Sequence, residues 1–487
     1  MHARLTLPGR IPAARSAGRF GGPAWLLAGS AVLLAACSLG PRYHKPDIPP
    51  PDHWVTPSDP AAPEWPTAGW WRGFASSDLD AFIAEAQQAN DDLRAAVARV
   101  READAERRIA AAPLLPALAV SAAATRSRSR SPIQGGGYSG GNDFNPLLTA
   151  SYQLDFFGKN RAQLAAATAT ARASRSDRTT VELTVMAGVA TSYFQALELR
   201  DRLAVADSNL ANASQVLHGL ELEQRAGIAT ALDVAQQQTV VATVNASIPP
   251  LRQQLRQSLD ALAILVGSTP QAVEVTSGGL DALSQPAVRP GLPSELLARR
   301  PDVAAAEAQL IAANANIAAA RAAFFPTINL TADGGYESPA LATLLTPASR
   351  VWSLGAGLTQ PIFQGGALLG GYTLVKAQYE ELLADYHKAV ISALANVEDA
   401  LVAVQQTTEQ VSRQQQAAEQ ARRAYRFAQA QMHAGTINVL TLLNTETTLF
   451  TAEDALAQAK YAHLQSLVSL YQALGGGWLQ KDEPLCT

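Results

Sequence analysis

The chain has 487 residues, 48 % hydrophobic but only 6 % aromatic, with a formal net charge of −4 and a mean hydropathy of +0.00. Neither the charge nor any cluster suggests nucleic acid, and two cysteines exclude a disulfide framework. Ala supplies much of the apolar count, which suits long, closely packed helices rather than a bulky globular core. At the N-terminus, Arg4, Arg10, Arg15 and Arg19 form a basic region before a short apolar stretch, Ala24 to Ala36. That stretch falls short of the about 20 residues that span a bilayer, so residues 1–36 read as a lipoprotein signal peptide. Leu34, Ala35, Ala36 and Cys37 resemble a lipobox: small residues let the peptidase reach the backbone, and the Cys37 thiol accepts the lipid. Ser38 follows instead of Asp, so the inner-membrane retention signal is absent. The mature chain would carry 34 basic and 42 acidic residues, a net charge of −8. Cys486 reads as an inert tail residue.

Residues 37–75 are Pro-rich and predicted to run extended from the anchor along the body. The remainder is two degenerate copies of one pattern, 76–270 and 290–475, joined by a linker at 271–289 and followed by a tail at 476–487. In each copy an Ala-rich helix precedes a Pro-punctuated strand pair and a long helical hairpin. AAPLLPALAV (111–120) echoes AAFFPTINLT (322–331), and LDFFGK (154–159) echoes QPIFQGG (360–366). RAGIATALDVAQQQT (225–239) echoes HAGTINVLTLLNTET (433–447), with Gly227 and Gly435 in register. A repeat this long is no solenoid unit. It implies one structural half used twice.

Four segments alternate with period two. In 117–130, Leu118, Val120, Ala122 and Ala124 oppose Ser121 and Thr125. In 147–157, Leu148, Ala150, Tyr152, Leu154 and Phe156 oppose Thr149, Ser151, Gln153 and Asp155. In 327–336, Ile328, Leu330, Ala332 and Tyr336 oppose Thr327, Asn329, Thr331 and Asp333. In 352–362, Trp352, Leu354, Ala356, Leu358 and Ile362 oppose Ser353, Gly355, Gly357 and Thr359. These lengths suit transmembrane strands, apolar toward lipid and polar toward a lumen. The connections SPIQGGGYSGGNDFNP and ESPALATLLTPASR read as loops longer than tight turns. Arg126, Arg128 and Arg130 alternate with Ser and share one face of their strand. They line the outer lumen, meet lipopolysaccharide phosphates, or lie in a solvated loop.

No proline occurs between Pro146 and Pro249 or between Pro361 and Pro484. Leu199, Leu203, Ala206, Leu210, Ala213, Leu217 and Leu220 alternate spacings of 4 and 3, as do Leu394, Val397, Leu401, Val404, Thr408 and Val411. These are coiled-coil seams. A helix of about 65 residues reaches roughly 100 Å. Gly227 and Gly435 sit where each helix must turn back. Four strands cannot close a barrel with a lumen, and eight leave an interior just filled by side chains. A solute channel therefore needs at least three chains: twelve strands above a twelve-helix tube.

Six motifs, CSLGPRYHKP (37–46), GLPSELLARRPDV (291–303), FFPTINL (324–330), QPIFQGG (360–366), AGTINVLTLLNTETTLFTAEDAL (434–456) and YQALGGGW (471–478), occur in this order. Together they make nearly the whole mature chain resemble the TolC-type outer-membrane efflux channels, in the lipidated OprM/NodT branch. The resemblance implies a homotrimer with an outer-membrane β-barrel and a periplasmic α-barrel. It also implies outer-membrane lipid around the barrel, a periplasmic membrane-fusion adaptor and an inner-membrane resistance–nodulation–division pump as partners, no cofactor and no catalysis. By position, Gly227 and Gly435 fall at the periplasmic tips, where the family meets its adaptor and closes its pore. Asp233 follows the first tip as a gate carboxylate or a simple helix cap. The family often places an acidic ring just inside the second tip; here those positions are Thr441 and Asn444.

Catalytic chemistry finds no support in the residues. DFFG (155–158) has no phosphate loop with it and reads as a strand end turning into a helix. The seven His are scattered without a metal-binding spacing. Mature Met is only Met186 and Met432, which disfavours copper export by sulfur relay. The expected function is a passive exit duct for drugs or other small toxic compounds. A channel for type I protein secretion or heavy-metal efflux shares the fold, and a coiled-coil lipoprotein without a pore is the reading from another class.

Overall fold

A computed structural model describes residues 40–56, 65–130, 138–275, 278–286, 288 and 291–479. The lipobox with Cys37, the strand connection 131–137 and Cys486 lie outside the described residues. Helices α1 (Ser77–Ala89) and α2 (Asp91–Ala111) lead into strands β1 (Ala117–Arg130) and β2 (Tyr138–Leu154). Helices α3 (Lys159–Arg225) and α4 (Ala231–Val266) form the first hairpin. After a single turn at Pro293–Leu296, helix α5 (Pro301–Ala322) leads into β3 (Thr327–Tyr336) and β4 (Arg350–Thr359). Helices α6 (Ala367–His433) and α7 (Val439–Ala473) form the second hairpin.

The two halves superimpose in numbering. Helices α3 and α6 are 67 residues each, displaced by a constant 208 positions, and both start after a left-handed glycine, Gly158 and Gly366. At 1.5 Å per residue each is about 100 Å long. Among the described residues no helix is long and apolar enough to cross a membrane.

The strands form one antiparallel sheet in the order β1-β2-β3-β4. The bounds of β2 and β4 differ from the sequence reading. Strand β2 begins at Tyr138, so most of the expected loop SPIQGGGYSGGNDFNP is strand. Its Gly and Asn residues hide the alternation, yet each finds a partner on β1, from Asn142 opposite Arg126 to Gly140 opposite Arg128. Strand β2 also stops at Leu154 and β4 at Thr359, leaving Phe156 and Ile362 outside the ladder. Asp155 ends β2 by capping α3: its carboxylate accepts from the Asn160 N–H at 3.0 Å and the Arg161 N–H at 2.9 Å. Phe157 turns off the strand and stacks on Phe325 at 4.9 Å. In the second copy Pro361, which lacks an N–H donor, follows the strand end.

The main core lies midway along the long helices. Trp70, Phe74, Leu79 and Ile83 pack on Phe194 and Leu197 of α3, Leu262 of α4 and Tyr471 of α7. Trp70 stacks on Tyr471 at 5.0 Å, and Phe74 meets Phe194 at 5.0 Å. Each fully buried side chain of this size contributes about 1.5–3 kcal/mol. Trp71 and Tyr193 are buried in the same cluster. Alanines such as Ala169 and Ala173 of α3, and Ala308 and Ala312 of α5, are buried where those two helices pack closely.

In α3 the predicted seam holds: Leu199, Ala206, Ala213 and Leu220 are buried, with Leu203, Leu210 and Leu217 packed beside them. In α6 it holds through Val404 and then drifts. Thr408 is exposed, and Thr407 faces α7, within 3.1 Å of His463 and 3.0 Å of Ser466. The buried row continues through Ala418, Ala421, Tyr425 and Ala428: Ala418 and Tyr425 keep the heptad register of Val404, while the alternate row has moved back one position, from Thr408 to Thr407. Helix α4 continues through Pro249 and Pro250. Ile248 and Leu251 on either side are buried in the α3 seam, and their burial offsets the proline penalty of about 3 kcal/mol.

Residues 40–56 run along the helical body. Lys45 pairs with Glu307 of α5 at 2.7 Å, and the buried Trp54 indole donates to the Gly291 carbonyl at 2.8 Å. The Thr56 N–H and hydroxyl both donate to Glu398 of α6 at 2.6 Å.

Candidate functional site

The sheet separates its chemistry by parity. On one face the paired rows are Leu154–Ile328–Leu358, Tyr152–Leu330–Ala356, Leu118–Ala150–Ala332–Leu354 and Val120–Leu148–Gly334–Trp352. On the other they are Gln153–Asn329–Gly357, Ser151–Thr331–Gly355 and Thr149–Asp333–Ser353, with the Ser353 hydroxyl donating to Asp333 at 2.9 Å. Leu118, Val120, Trp352, Leu354 and Leu358 are exposed on a single chain. Rows of exposed aliphatic side chains without a protein partner are what a lipid-facing wall presents. Arg126 and Arg128 extend the apolar face, not the polar one: they share parity with Leu118 and Val120, while Asp143 sits opposite Thr125 on the other side.

At the far end of the helices the two tips are built alike. Gly227 and Gly435 adopt positive φ, 78° and 69°, and no neighbouring atom crowds either, so the backbone conformation alone asks for glycine. Each closes a Schellman turn. The Ile228 N–H reaches the Glu223 carbonyl and the Gly227 N–H that of Gln224; Thr436 and Gly435 do the same to Gln431 and Met432. The return helices are capped at equivalent positions. Thr230 and Asp233 form a reciprocal capping box, with the Asp233 N–H donating to the Thr230 hydroxyl at 3.2 Å. Asp233 accepts from the Thr230 hydroxyl at 2.7 Å and N–H at 2.8 Å, and these bonds hold its carboxyl below the usual range. In the second copy Asn438 caps α7, accepting from the Thr441 N–H at 3.0 Å and hydroxyl at 2.8 Å. Asn444 is exposed one turn further on. The tips also leave large apolar side chains bare: Ile228 is 76 % exposed, Leu232 65 % and its counterpart Leu440 50 %.

Sequence reasoning missed a polar layer behind the tips. Gln237 of α4 and Glu446 of α7 are both buried. The Gln237 amide donates to the Ala213 carbonyl of α3 at 2.8 Å and lies 3.4 Å from the Glu446 carboxylate. No cation pairs with Glu446 among the described residues, and burial pushes its carboxyl up, with the Gln237 hydrogen bond opposing. Tyr425 of α6 faces it, its phenol pushed up to about 12 by burial and then by Glu446. The signal was present: Glu446 stands between Leu442 and Leu449 at core spacing, a charge where the seam calls for an aliphatic residue. Farther from the tips, Arg202 of α3 grips Asp454 of α7 with two nitrogens, at 2.6 and 3.3 Å, and the buried Glu198 at 3.1 Å. Among the described residues no group of His, Cys, Asp or Glu is placed to hold a metal.

A strand wall greasy on one face and polar on the other, carried on paired helices of about 100 Å, defines an outer-membrane channel with a long helical extension. The chain belongs to the outer membrane efflux protein family, which it matches over residues 82–268 and 292–476. It is 41 % identical to the pyoverdine export outer membrane protein OpmQ of Pseudomonas aeruginosa over 93 % of this chain and 96 % of that protein. It is 32 % identical to the toluene efflux pump outer membrane protein TtgC of Pseudomonas putida, over 93 % and 96 %. The solved outer-membrane channel OprN superimposes with a TM-score of 0.84 at 29 % identity, covering 91 % of this chain and all of that one. This protein is therefore an outer-membrane efflux channel.

Proposed function

We propose that three copies of this chain close a twelve-stranded barrel and serve as the passive exit duct of a tripartite efflux system. The observation that carries the reading is the sheet's geometry. Its two outer strands, β1 and β4, keep unpaired edges, which neighbouring copies would satisfy. Its polar face is lined by neutral Ser, Thr, Asn, Gln and Gly with few charges, a surface that passes solutes without selecting them. Choice of cargo then falls to the pump: the relatives' names range over pyoverdine, toluene, antibiotic and cation efflux, and drugs or other small toxic compounds fall within that range. Acylation of Cys37 adds a lipid anchor beside the barrel. The bare Ile228, Leu232 and Leu440 form the apolar apex on which a periplasmic adaptor docks. Asp233, Thr441 and Asn444 line the constriction there, held shut at rest and opened by the assembled pump.

The test is conductance in planar bilayers together with entry of a bulky antibiotic into cells. Asp233→Ala is expected to raise both and to weaken cation preference. Asp233→Asn, which keeps the cap but not the charge, separates gating by charge from gating by helix stability. Unchanged conductance and selectivity in both variants, and in Asn444→Asp, would place these residues away from the pore.

A further inference from the structure

The apolar face of the sheet ends in cations at the end away from the helices. From the Leu154 row to the Ala124–Phe144 row is ten residues of β2. That is about 34 Å of strand at 3.4 Å per residue. At the 35–45° tilt of membrane barrels it spans roughly 25 Å of height, the depth of the apolar band. The next two rows on the same face are Arg126–Asn142 and Arg128–Gly140. Both arginines are exposed, about 7 Å apart along the strand. The helices leave the sheet at the opposite end, so this end faces the exterior.

Three features argue that the pair is built for anions outside the barrel. First, no acid shares the face here: Asp143 has the other parity, and no ion pair joins Arg126 or Arg128 to any described residue. Second, Gly140 opposite Arg128 leaves the surface open, and the Arg128 guanidinium lies 4.5 Å over the Tyr138 ring, which holds the fork without using its donors on a carboxylate. Third, the other hairpin also brings a tyrosine and an arginine to this face, with Tyr336 opposite Arg350 one row above Trp352. Aromatic and cationic side chains at the edge of a lipid-facing wall meet headgroups, and a guanidinium fork matches a phosphate with two parallel hydrogen bonds.

We propose that Arg126 and Arg128 form a binding site for the phosphate groups of a phosphorylated glycolipid in the outer leaflet. The barrel would thereby hold a lipid collar on its outer surface. Closing the sheet with neighbouring copies consumes strand edges, not this face, so the site survives assembly.

The test is native mass spectrometry of the intact channel in detergent, mixed with bis-phosphorylated lipid A or with its dephosphorylated form. Wild type is expected to retain lipid A and to lose the dephosphorylated lipid. R126Q/R128Q is expected to bind lipid A at least about tenfold more weakly, the scale of a lost charge-assisted hydrogen bond. R126K/R128K, which keeps the charge, is expected to recover part of the binding. Heat-modifiable gel mobility checks that each variant has folded. Equal retention of lipid A by R126Q/R128Q, equal retention of dephosphorylated lipid by wild type, or displacement of lipid A by millimolar inorganic phosphate overturns the proposal.

Discussion

At the scale of single residues, parity and burial decide what a substitution does. Leu354 lies in the Leu118–Ala150–Ala332–Leu354 row, near the middle of the apolar band, whereas Gln153 is on the polar face. Leu354→Arg is expected to cost roughly 2–4 kcal/mol of barrel stability. Gln153→Arg should fold normally; urea titration of heat-modifiable mobility compares the two, and equal loss would overturn the assignment of faces. Glu446 makes the opposite case, a wild-type residue that weakens its own helix packing. Its carboxyl is raised in the fold, so the unfolded chain gives up its proton more readily. Its stabilising contribution is present below the ordinary glutamate pKa and is lost as pH rises through the raised folded value. Glu446→Gln keeps a hydrogen-bonding partner for Gln237 and removes the buried charge. At neutral pH it should stabilise the helical hairpins by about 1–3 kcal/mol, the scale of an unsatisfied buried polar group, and flatten the pH dependence. Helical circular dichroism on thermal unfolding between pH 4 and 8 measures this.

At the scale of elements, each hairpin is a long lever ended by a short turn. Gly227→Ala and Gly435→Ala force an L side chain into the left-handed region at about 1–2 kcal/mol each. Neither touches the core, so barrel insertion should be unchanged while efflux, read as drug susceptibility of a complemented strain, declines. Thr230→Ala removes the capping box and should destabilise α4 by about 1 kcal/mol, seen as faster amide exchange confined to its first turns. Much at this scale is legible from residue spacing. The α3 seam and the apolar strand rows follow from periods of 3.5 and 2, and both tips from Gly followed by a fresh apolar run. The course of β2 from Tyr138 is not legible, because Gly140, Gly141 and Asn142 carry no alternation and are held in strand by β1. The one-position shift of the α6 seam from Thr408 to Thr407 is equally hidden, since both positions are threonine and only the packing against His463 and Ser466 of α7 separates them.

At the scale of the whole molecule, a four-stranded sheet with two free edges is an incomplete object. Three chains are the expected solution, measured as a trimer mass in detergent by native mass spectrometry or light scattering; a monodisperse monomer that still conducts would refute it. The sequence by itself determined the two-fold repeat, the strand faces and the long helical hairpins, because hydrophobic period and repeat spacing are local properties of the chain; the efflux-channel class followed from the resemblance that the six motifs carry. Only the tertiary structure showed that β1 pairs with β2 without a bulge from Leu118 to Arg128, so that Arg126 and Arg128 keep the parity of Leu118 and Val120 and lie on the apolar face. Only the fold, likewise, brought Gln237, Tyr425 and Glu446 into one layer, because these residues lie on three helices and their meeting depends on how two hairpins pack.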